Sequence, residues 1–271
     1  NNVKTSGKAT NKGAYTGGII GELYNSSSGN VTLINSNTSG VVSGNTYSGG
    51  IIGYVNNVGL GSTNLTKLYS NGDVNGTGDY TAGVIAVSNN TAKGKVNIDQ
   101  VYTTSKVEGL TNVGGFIGTG TYNTITNTYT YGSVAGTTNV GGYASSLTNC
   151  NVSTSYTFDY LESSYPTNIS SSVVTSTNST YTNFYYDSDR FIHNSSNVGE
   201  YLTSSEFLTK SSFENYNFDS IWSMDGEIPY LTNLVKPEFK LLNINNVFGY
   251  TVVDLNEFFK KNLNVSGLYK V

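Results

Sequence analysis

The stretch Tyr15-Thr16-Gly17-Gly18-Ile19-Ile20-Gly21 decides the fold, because copies of it return along the chain. A close copy begins at Tyr47, a degraded copy begins at Tyr80, and shorter versions occupy residues 113–118 and 140–144. The second glycines of the five blocks stand at positions 18, 50, 83, 115 and 142, so the spacings are 32, 33, 32 and 27 residues. This period indicates stacked structural repeats, with one loop shortened by five residues.

A second half-motif lies between the glycine blocks and aligns without gaps over four copies, with a fifth copy from Val152. The alignment places like residues in columns. The aliphatic column is Leu33, Leu65, Ile98, Ile125 and Val152. The valine column is Val42, Val74, Val107 and Val134, and the tyrosine column is Tyr69, Tyr102, Tyr129 and Tyr156. A hydroxyl column contains Thr38, Ser70, Thr103, Thr130 and Thr157.

Columns of like residues at a constant period are typical of a β-solenoid, in which each coil lies about 4.8 Å above the last. Short strands rich in Val, Ile, Tyr and Thr suit such a pleated, half-buried surface. Paired glycines mark tight bends with little room for a Cβ atom. These structural glycines are Gly17, Gly18, Gly49, Gly50, Gly114, Gly115, Gly141 and Gly142. A β-sandwich is the alternative, but it would not require stacked identities.

We therefore predict an all-β fold: a β-solenoid (β-helix) of about five to six coils over residues 1–160. Residues 161–234 are expected to form a small mixed cap that closes the solenoid, with Trp222 in its apolar face. Thr203 and Glu206 have the spacing of a capping box, which predicts a short helix through about Lys210.

Beyond Pro237 the glycine blocks stop and lysines become more frequent. Residues 254–263 have the pattern of an amphipathic helix with Asp254 as its N-cap. We predict that residues 235–271 begin another module, of α/β type and truncated at the end of the sequence. The start at Asn1 has no signal-peptide pattern, so the chain is expected to be an excised piece of a longer protein.

Composition excludes several classes of protein. The chain has 14 Lys and Arg against 18 Asp and Glu, for a net charge of −4, and no clustered basic stripe for nucleic acid. No apolar run is long enough to span a bilayer. Cys150 is the one cysteine, so no intrachain disulfide can form and a cysteine-based zinc site is not expected.

The block Gly17-Gly18-Ile19-Ile20-Gly21, followed by the half-motif with its Tyr-Ser/Thr and Gly-x-Val-x-Gly elements, resembles the GLUG repeat. Residues 184–187, 202–213 and 221–231 resemble the segment that usually closes such arrays, so the resemblance covers about residues 1–234. GLUG repeats occur in large bacterial surface adhesins and in non-catalytic regions of IgA-protease-like metallopeptidases.

The third copy departs from the GLUG pattern, because Ala82 and Ala86 replace two of its glycines. The resemblance as a whole implies a non-catalytic, extracellular structural or adhesion module on a bacterial cell surface. Its implied partners are a host glycan or protein, or other domains of the same chain. One alternative is an accessory region of a secreted IgA-protease-like metallopeptidase whose catalytic site lies outside this sequence. A second alternative is a carbohydrate-active β-helix.

Few residues could support catalysis. The one histidine, His193, lies near Asp187, Asp189 and Arg190, yet no G-x-S-x-G elbow and no H-E-x-x-H motif is present. We interpret His193 as a residue of the closing segment and expect no catalytic residue. The column that would carry the carboxylates of a polysaccharide-cleaving β-helix runs through Val41, Asp73, Lys106 and Ser133, which is not an acidic row.

Calcium is the one cofactor that the sequence leaves open. Asp73, Asn75 and Asp79 place oxygen ligands in one turn, in the manner of a calcium loop. The glutamate at position 12 of such a loop is missing, and Asn, Asp and Gly are also ordinary turn residues. We therefore expect no obligatory cofactor.

Overall fold

The computed structural model describes residues 1–91, 93–162, 167–190 and 198–239. One compact unit comprises Asn1–Pro237, and Glu238–Val271 form a second unit. The predicted helix over residues 254–263 and most of the predicted C-terminal module lie outside the described residues, as does His193.

The first unit contains six successive coils of four short strands each. Coils one to three contain β1 Lys4–Thr5, β2 Ala9–Thr10, β3 Tyr15–Gly17 and β4 Ile20–Asn25; β5 Val31–Thr38, β6 Val42–Gly44, β7 Tyr47–Gly49 and β8 Ile52–Asn57; β9 Ser62–Ser70, β10 Val74–Gly76, β11 Tyr80–Ala82 and β12 Ile85–Asn90. Coils four to six contain β13 Lys95–Thr103, β14 Lys106–Glu108, β15 Thr111–Gly114 and β16 Ile117–Thr121; β17 Asn123–Thr130, β18 Ser133–Ala135, β19 Thr138–Gly141 and β20 Ala144–Thr148; β21 Asn151–Thr157, β22 Tyr160–Leu161, β23 Thr167–Ser170 and β24 Val173–Thr177. After them come β25 Thr180–Asp187, β26 Glu200–Leu202, β27 Trp222–Ser223 and β28 Tyr230–Leu231.

Each coil adds one strand to each of four parallel sheets. Sheet I has the order β1-β5-β9-β13-β17-β21-β25-β26, and sheet II has the order β2-β6-β10-β14-β18-β22. Sheet III runs β23-β19-β15-β11-β7-β3, and sheet IV runs β24-β20-β16-β12-β8-β4. The prediction of an all-β fold made of stacked, repeated strands is confirmed, and the architecture is that of a β-helix.

The register of the sheets coincides with the columns read from the sequence. In sheet II, Val74 pairs with Val42 on one side and with Val107 on the other, and all three are fully buried. Val107 pairs in turn with Val134. The aliphatic column of sheet I, from Leu33 to Val152, lies in the main hydrophobic core. Stacking identical side chains lets one packing solution serve every coil.

The paired glycines lie where the backbone is closest to its neighbours. A Cβ atom added to Gly49 would overlap the carbonyl oxygen of Ile52, and one added to Gly50 would overlap the carbonyl oxygen of Gly83 in the next coil. A side chain there would have to displace backbone, so the positions require glycine. Similar overlaps with backbone carbonyl oxygens occur at Gly17, Gly18, Gly114, Gly115, Gly141 and Gly142. Ala82 is accommodated in this row, pairing in register with Gly49 and Gly114.

A left-handed residue interrupts the long strand of sheet I in each of coils two to six. Lys67, Gln100 and Asn127 have φ values of 55°, 55° and 51°. Such a residue acts as a bulge and resets the in–out alternation of the strand. Ile98 and Val101, on either side of Gln100, therefore both belong to the interior core. The tyrosine that follows Val101 points to the opposite, outer face of the sheet.

The tyrosine column forms a stack on this outer face. Ring centroids are 5.0 Å apart for Tyr69 and Tyr102, 4.9 Å for Tyr102 and Tyr129, and 5.1 Å for Tyr129 and Tyr156. The chain that follows β25, described for residues 188–190 and 198–235 and called the closing segment here, covers the stack. Trp222 is fully buried, with its ring 5.9 Å from those of both Tyr129 and Tyr156.

The closing segment contacts earlier coils as well as the last one. Its Glu214 backbone N–H donates to the hydroxyl of Tyr185 in β25, whereas the Tyr102 hydroxyl, in coil four, donates to the Val235 carbonyl 2.6 Å away. The Tyr156 hydroxyl donates to the Pro229 carbonyl between these points. The segment therefore lies along the flank of sheet I from β25 back to coil four.

The predicted capping box is present, but the helix after it is not an α-helix. The Thr203 N–H donates to the Glu206 carboxylate at 2.8 Å, and the Glu206 N–H donates to the Thr203 hydroxyl at 3.2 Å. Two separate 3₁₀ turns follow, Glu206–Leu208 and Lys210–Ser212. Phe207 is buried against Tyr156 and Phe158, so tertiary packing fixes this segment in short turns. Within the described residues, no helix is long and apolar enough to cross a bilayer.

Candidate binding surface

Four partly exposed tyrosines form a cluster on coils one to three. Tyr15, Tyr47 and Tyr80 begin successive strands of sheet III, and Tyr54 joins them from sheet IV. Ring centroids are 5.2 Å apart for Tyr15 and Tyr47 and for Tyr47 and Tyr80, and Tyr54 lies 5.1 Å from Tyr15. We call these four residues the tyrosine cluster. They are the largest aromatic group in contact with solvent on coils one to three.

The tyrosine cluster combines stacked rings with hydroxyl groups, and Tyr47 lies at its centre. Burial raises the pKa of Tyr47, and the neighbouring Tyr80, Tyr15 and Tyr54 raise it further. The rings of Tyr15 and Tyr80 stack on Tyr47 at 5.2 Å each, while Tyr47 as a whole stays partly exposed. A tyrosine hydroxyl can donate one hydrogen bond and accept others. The cluster therefore combines rigid contact area with polar groups that can adapt to a partner.

In coils four to six, asparagines continue the row that tyrosines occupy in coils one to three. Asn112, Asn139 and Asn168 have left-handed φ values of 49°, 53° and 59°. The Asn139 amide donates to Asn112 at 3.0 Å, and the Asn168 amide donates to Asn139 at 3.0 Å. Asparagine tolerates the left-handed region better than most residues do. Asparagine in this ladder thus serves two purposes: it tolerates the left-handed backbone conformation, and it provides a polar surface.

The predicted calcium ligands do not share one turn, because Asn75 lies in β10 while Asp73 precedes this strand and Asp79 follows it. Asp73 and Asp79 are exposed and Asn75 is half-buried. The Asp73 carbonyl accepts from the Val42 N–H at 2.9 Å, and the Asp79 carbonyl accepts from the Thr111 hydroxyl at 3.0 Å. Among the residues described, no three His, Cys, Asp or Glu side chains come together in a group that could hold a metal ion. A calcium site at these residues stays a prediction.

Asp187 and Arg190, which precede His193 in the sequence, form a largely buried ion pair. Asp187 Oδ2 lies 3.5 Å from Arg190 Nε and accepts a hydrogen bond from the Ser204 hydroxyl at 2.6 Å. The Arg190 guanidinium lies 3.9 Å from the centre of the Phe158 ring. The pair therefore ties the closing segment to coil six, as a structural contact would.

Sequence reasoning used the tyrosines of the cluster as repeat markers and did not predict them as a surface. The available signal was a tyrosine two residues ahead of the glycine pair in three successive copies, at Tyr15, Tyr47 and Tyr80. Tyr54 gave no repeating signal, because Glu22 and Val87 are its partners in the neighbouring coils. Its place beside Tyr15 follows only from how sheets III and IV meet.

No protein-family model and no curated protein sequence matches this chain. Among solved structures, the chain is similar to a candidate immunoglobulin A1 protease from Bacteroides ovatus, whose crystal structure has a resolution of 1.30 Å. The TM-score is 0.61 with 17% sequence identity, and the match covers 84% of this chain and 74% of that protein. At this identity the similarity establishes a shared fold.

Proposed function

We propose that this chain is a non-catalytic, extracellular binding module of a large bacterial cell-surface protein, built from GLUG-type solenoid repeats. In this proposal the stacked coils act as a rigid rod, and the tyrosine cluster contacts a host glycan or protein. The observation that carries the proposal is the cluster itself: four stacked, partly exposed tyrosines held by three parallel strands and one neighbouring strand. Tyrosine supplies large contact area at low entropic cost and is enriched in interface hot spots.

The chemistry of the described side chains supports a non-catalytic role. Burial raises the pKa of the Cys150 thiol to about 11, so this cysteine is not a ready nucleophile at neutral pH. The Asp187 carboxylate is already engaged by Arg190 and Ser204. General acid–base catalysis needs a titratable group within reach of substrate and with a pKa near the working pH. The exposed tyrosine hydroxyls suit recognition better than proton transfer.

Binding to arrays of host glycans and extracellular-matrix proteins tests the proposal. The variant Tyr15→Phe/Tyr47→Phe/Tyr54→Phe/Tyr80→Phe removes four hydroxyls and keeps the stacked rings. We expect it to lose about tenfold or more in affinity, because each lost hydrogen bond contributes roughly 0.5–1.5 kcal/mol. The matched control Tyr24→Phe/Tyr201→Phe changes exposed tyrosines outside the cluster. Equal affinity of the two variants, or no binding by the native chain, would contradict the proposal.

The similarity to the Bacteroides ovatus protein favours a second candidate function. In it, this chain is an accessory region of a secreted IgA-protease-like metallopeptidase, with the catalytic site elsewhere in the parent protein. Comparing immunoglobulin A cleavage by the parent protein with and without residues 1–237 tests this candidate. A lower kcat/KM without these residues would support it, and unchanged cleavage, or none by the intact parent, would count against it.

A further inference from the structure

A polar niche lies where long connections between coils give way to short ones. Six residues separate Asn89 from Val96, whereas one residue separates their register partners Thr121 and Asn123. This difference of five residues is the shortened loop that the spacing of the glycine blocks predicts. The connection after coil three is therefore longer than the connections after coils four and five. We call the space at this step the corner niche.

The corner niche has a volume of about 180 Å³ and a polar lining. This is below the range of roughly 300–1,000 Å³ typical for drug-sized ligands, so the niche suits a single ring. The side chains relevant to binding are those of Lys95, Tyr122, Asn123, Thr124, Asn149 and Asn151. They include an ammonium, four amide or hydroxyl groups and one aromatic ring, and no carboxylate is among them.

Hydrogen-bond donors in the corner niche are left unused. The Lys95 ammonium is exposed, and the ion pairs of the described residues do not include it. The Thr180 hydroxyl donates to Asn151 Oδ1, which leaves the amide N–H groups of Asn151 free. A site with such a surplus of donors favours an anionic, oxygen-rich ligand.

Tyr122 occupies a backbone position that is costly for it. The equivalent turns of the next two coils place asparagine there, Asn149 with φ 52° and Asn178 with φ 50°. Tyr122 has φ 53° and is 40% exposed, so it gains little burial for a strained backbone. For a bulky residue a positive φ is a true outlier, and such strain is concentrated at functional sites. Tyr122 is one of the residues that line the corner niche, and its side chain is the one aromatic group available there to cover one face of a bound ring.

We propose that the corner niche binds one acidic sugar unit of a glycan, a uronic acid or a sialic acid. Lys95 would bind the carboxylate, Asn149 and Asn151 the ring hydroxyls, and Tyr122 the apolar face of the sugar. A free inorganic anion would satisfy Lys95 but would make no use of the Tyr122 ring. The corner niche shares no residue with the tyrosine cluster, so this inference goes beyond the proposed function.

NMR titration of the intact chain with four small probes tests the proposal. We expect glucuronic acid and N-acetylneuraminic acid to bind with millimolar Kd, and glucose and acetate to bind at least tenfold more weakly. Lys95→Gln should weaken binding of the acidic sugars about tenfold, whereas Lys93→Gln, the same charge change two residues away, should leave it unchanged. Acetate as tight as the sugars would reveal a simple anion site, and equal effects of the two lysine variants would reveal long-range charge only. Either result overturns the proposal.

Tyr122→Asn separates a binding role from a structural one. Asparagine suits the left-handed turn, so this variant should raise the Tm by about 2–4 °C while it weakens binding of both acidic sugars severalfold. A stabilised variant with unchanged affinity would remove Tyr122 from the site and overturn the proposal. The tyrosine-cluster variant should bind these sugars as the native chain does. Failure at the corner niche would therefore leave the proposed function of the tyrosine cluster standing, and failure of the cluster would leave this inference standing.

Discussion

Coils one to three and coils four to six share one core but carry different surfaces. The first half has Tyr15, Tyr47 and Tyr80 in the outer row of sheet III, and the second half has the asparagine ladder in the same row. Four or five residues connect successive coils in the first half, and one or two in the second. The closing segment contacts the tyrosine stack of sheet I in coils four to six.

This comparison separates what fixes the fold from what is free to vary. The valine column runs without interruption from Val42 through Val74 and Val107 to Val134, across the division between the halves. Interior positions must match the coil above and the coil below, so they are constrained twice. Residues in the outer rows and in the connections between coils are less constrained by the neighbouring coils. The surface has therefore specialised by halves, with an open tyrosine cluster on one and a covered flank on the other.

The largest effect should come from a charge in the shared core. Val74→Asp would place an unpaired carboxylate in a dry column, and we expect a loss of about 4 kcal/mol or more in the free energy of unfolding. Val107→Asp, in the other half, should cost a similar amount if the core is equivalent throughout. Chemical denaturation measures both. Val41→Asp is the matched control, because Val41 is 37% exposed, and it should cost less than about 1 kcal/mol. A Tm unchanged by Val74→Asp would show that the column is not dry.

Much of the shared core could be predicted from the sequence, because a stacked column repeats its residue type. The sixth glycine block could not. Ser170 pairs with Gly141, and Ser171 follows in the row of Gly142, so Ser170-Ser171-Ser172 replaces a glycine pair. In the described residues β23 is the edge strand of sheet III, and no carbonyl of a further coil stands where a Cβ would point. The close approach of a neighbouring coil, which favours glycine in this row, ends with the stack, and the glycine signal in the sequence ends there too.

The outward direction of the tyrosine column was also beyond sequence reasoning. It depends on the left-handed residues Lys67 and Gln100, neither of which is a typical residue for that conformation. Without the bulge, alternation alone would place the tyrosines on the wrong face of the strand. In the sequence, the one sign of the corner niche was the shorter spacing between Gly115 and Gly142. Which side chains line the niche depends on the positions of three successive turns relative to one another.

Between pH 4 and pH 8, we expect the free energy of unfolding to depend on the titration of Asp159, which lies in the second half. Asp159 in coil six occupies the same register position as Gly132 in coil five. Its Oδ2 atom is buried. Burial raises the pKa of Asp159 to about 7, against the opposing effects of the nearby Thr130 hydroxyl, the Gly132 N–H and Arg190. The folded state therefore holds this proton more tightly than the unfolded state, in which the carboxyl has its ordinary pKa of 3.8.

The sign of the pH effect follows from linkage. The contribution of Asp159 to stability is fully present below about pH 4 and is lost as the pH rises through about 7, with an upper bound of about 4 kcal/mol. Asp159→Asn replaces the carboxyl with a neutral group of similar size. The variant should exceed the native chain in stability at pH 8, and the difference should close by pH 4. Denaturation midpoints measured across this range test the prediction, and parallel curves for the two proteins would refute it.

The smallest effect should distinguish the two reasons for the asparagine ladder. Asn139→Ala removes the hydrogen bonds to Asn112 and from Asn168 and also places alanine at a φ of 53°, so we expect a loss of about 1–2 kcal/mol. Asn139→Gly removes the same hydrogen bonds but accepts the backbone conformation, so it should cost about half as much. In the first half the tyrosines of this row are not left-handed, and the same backbone argument does not apply to them. Equal losses for the two Asn139 variants would mean that the ladder hydrogen bonds alone select asparagine. The row would then differ between the halves in its surface chemistry and not in a backbone requirement.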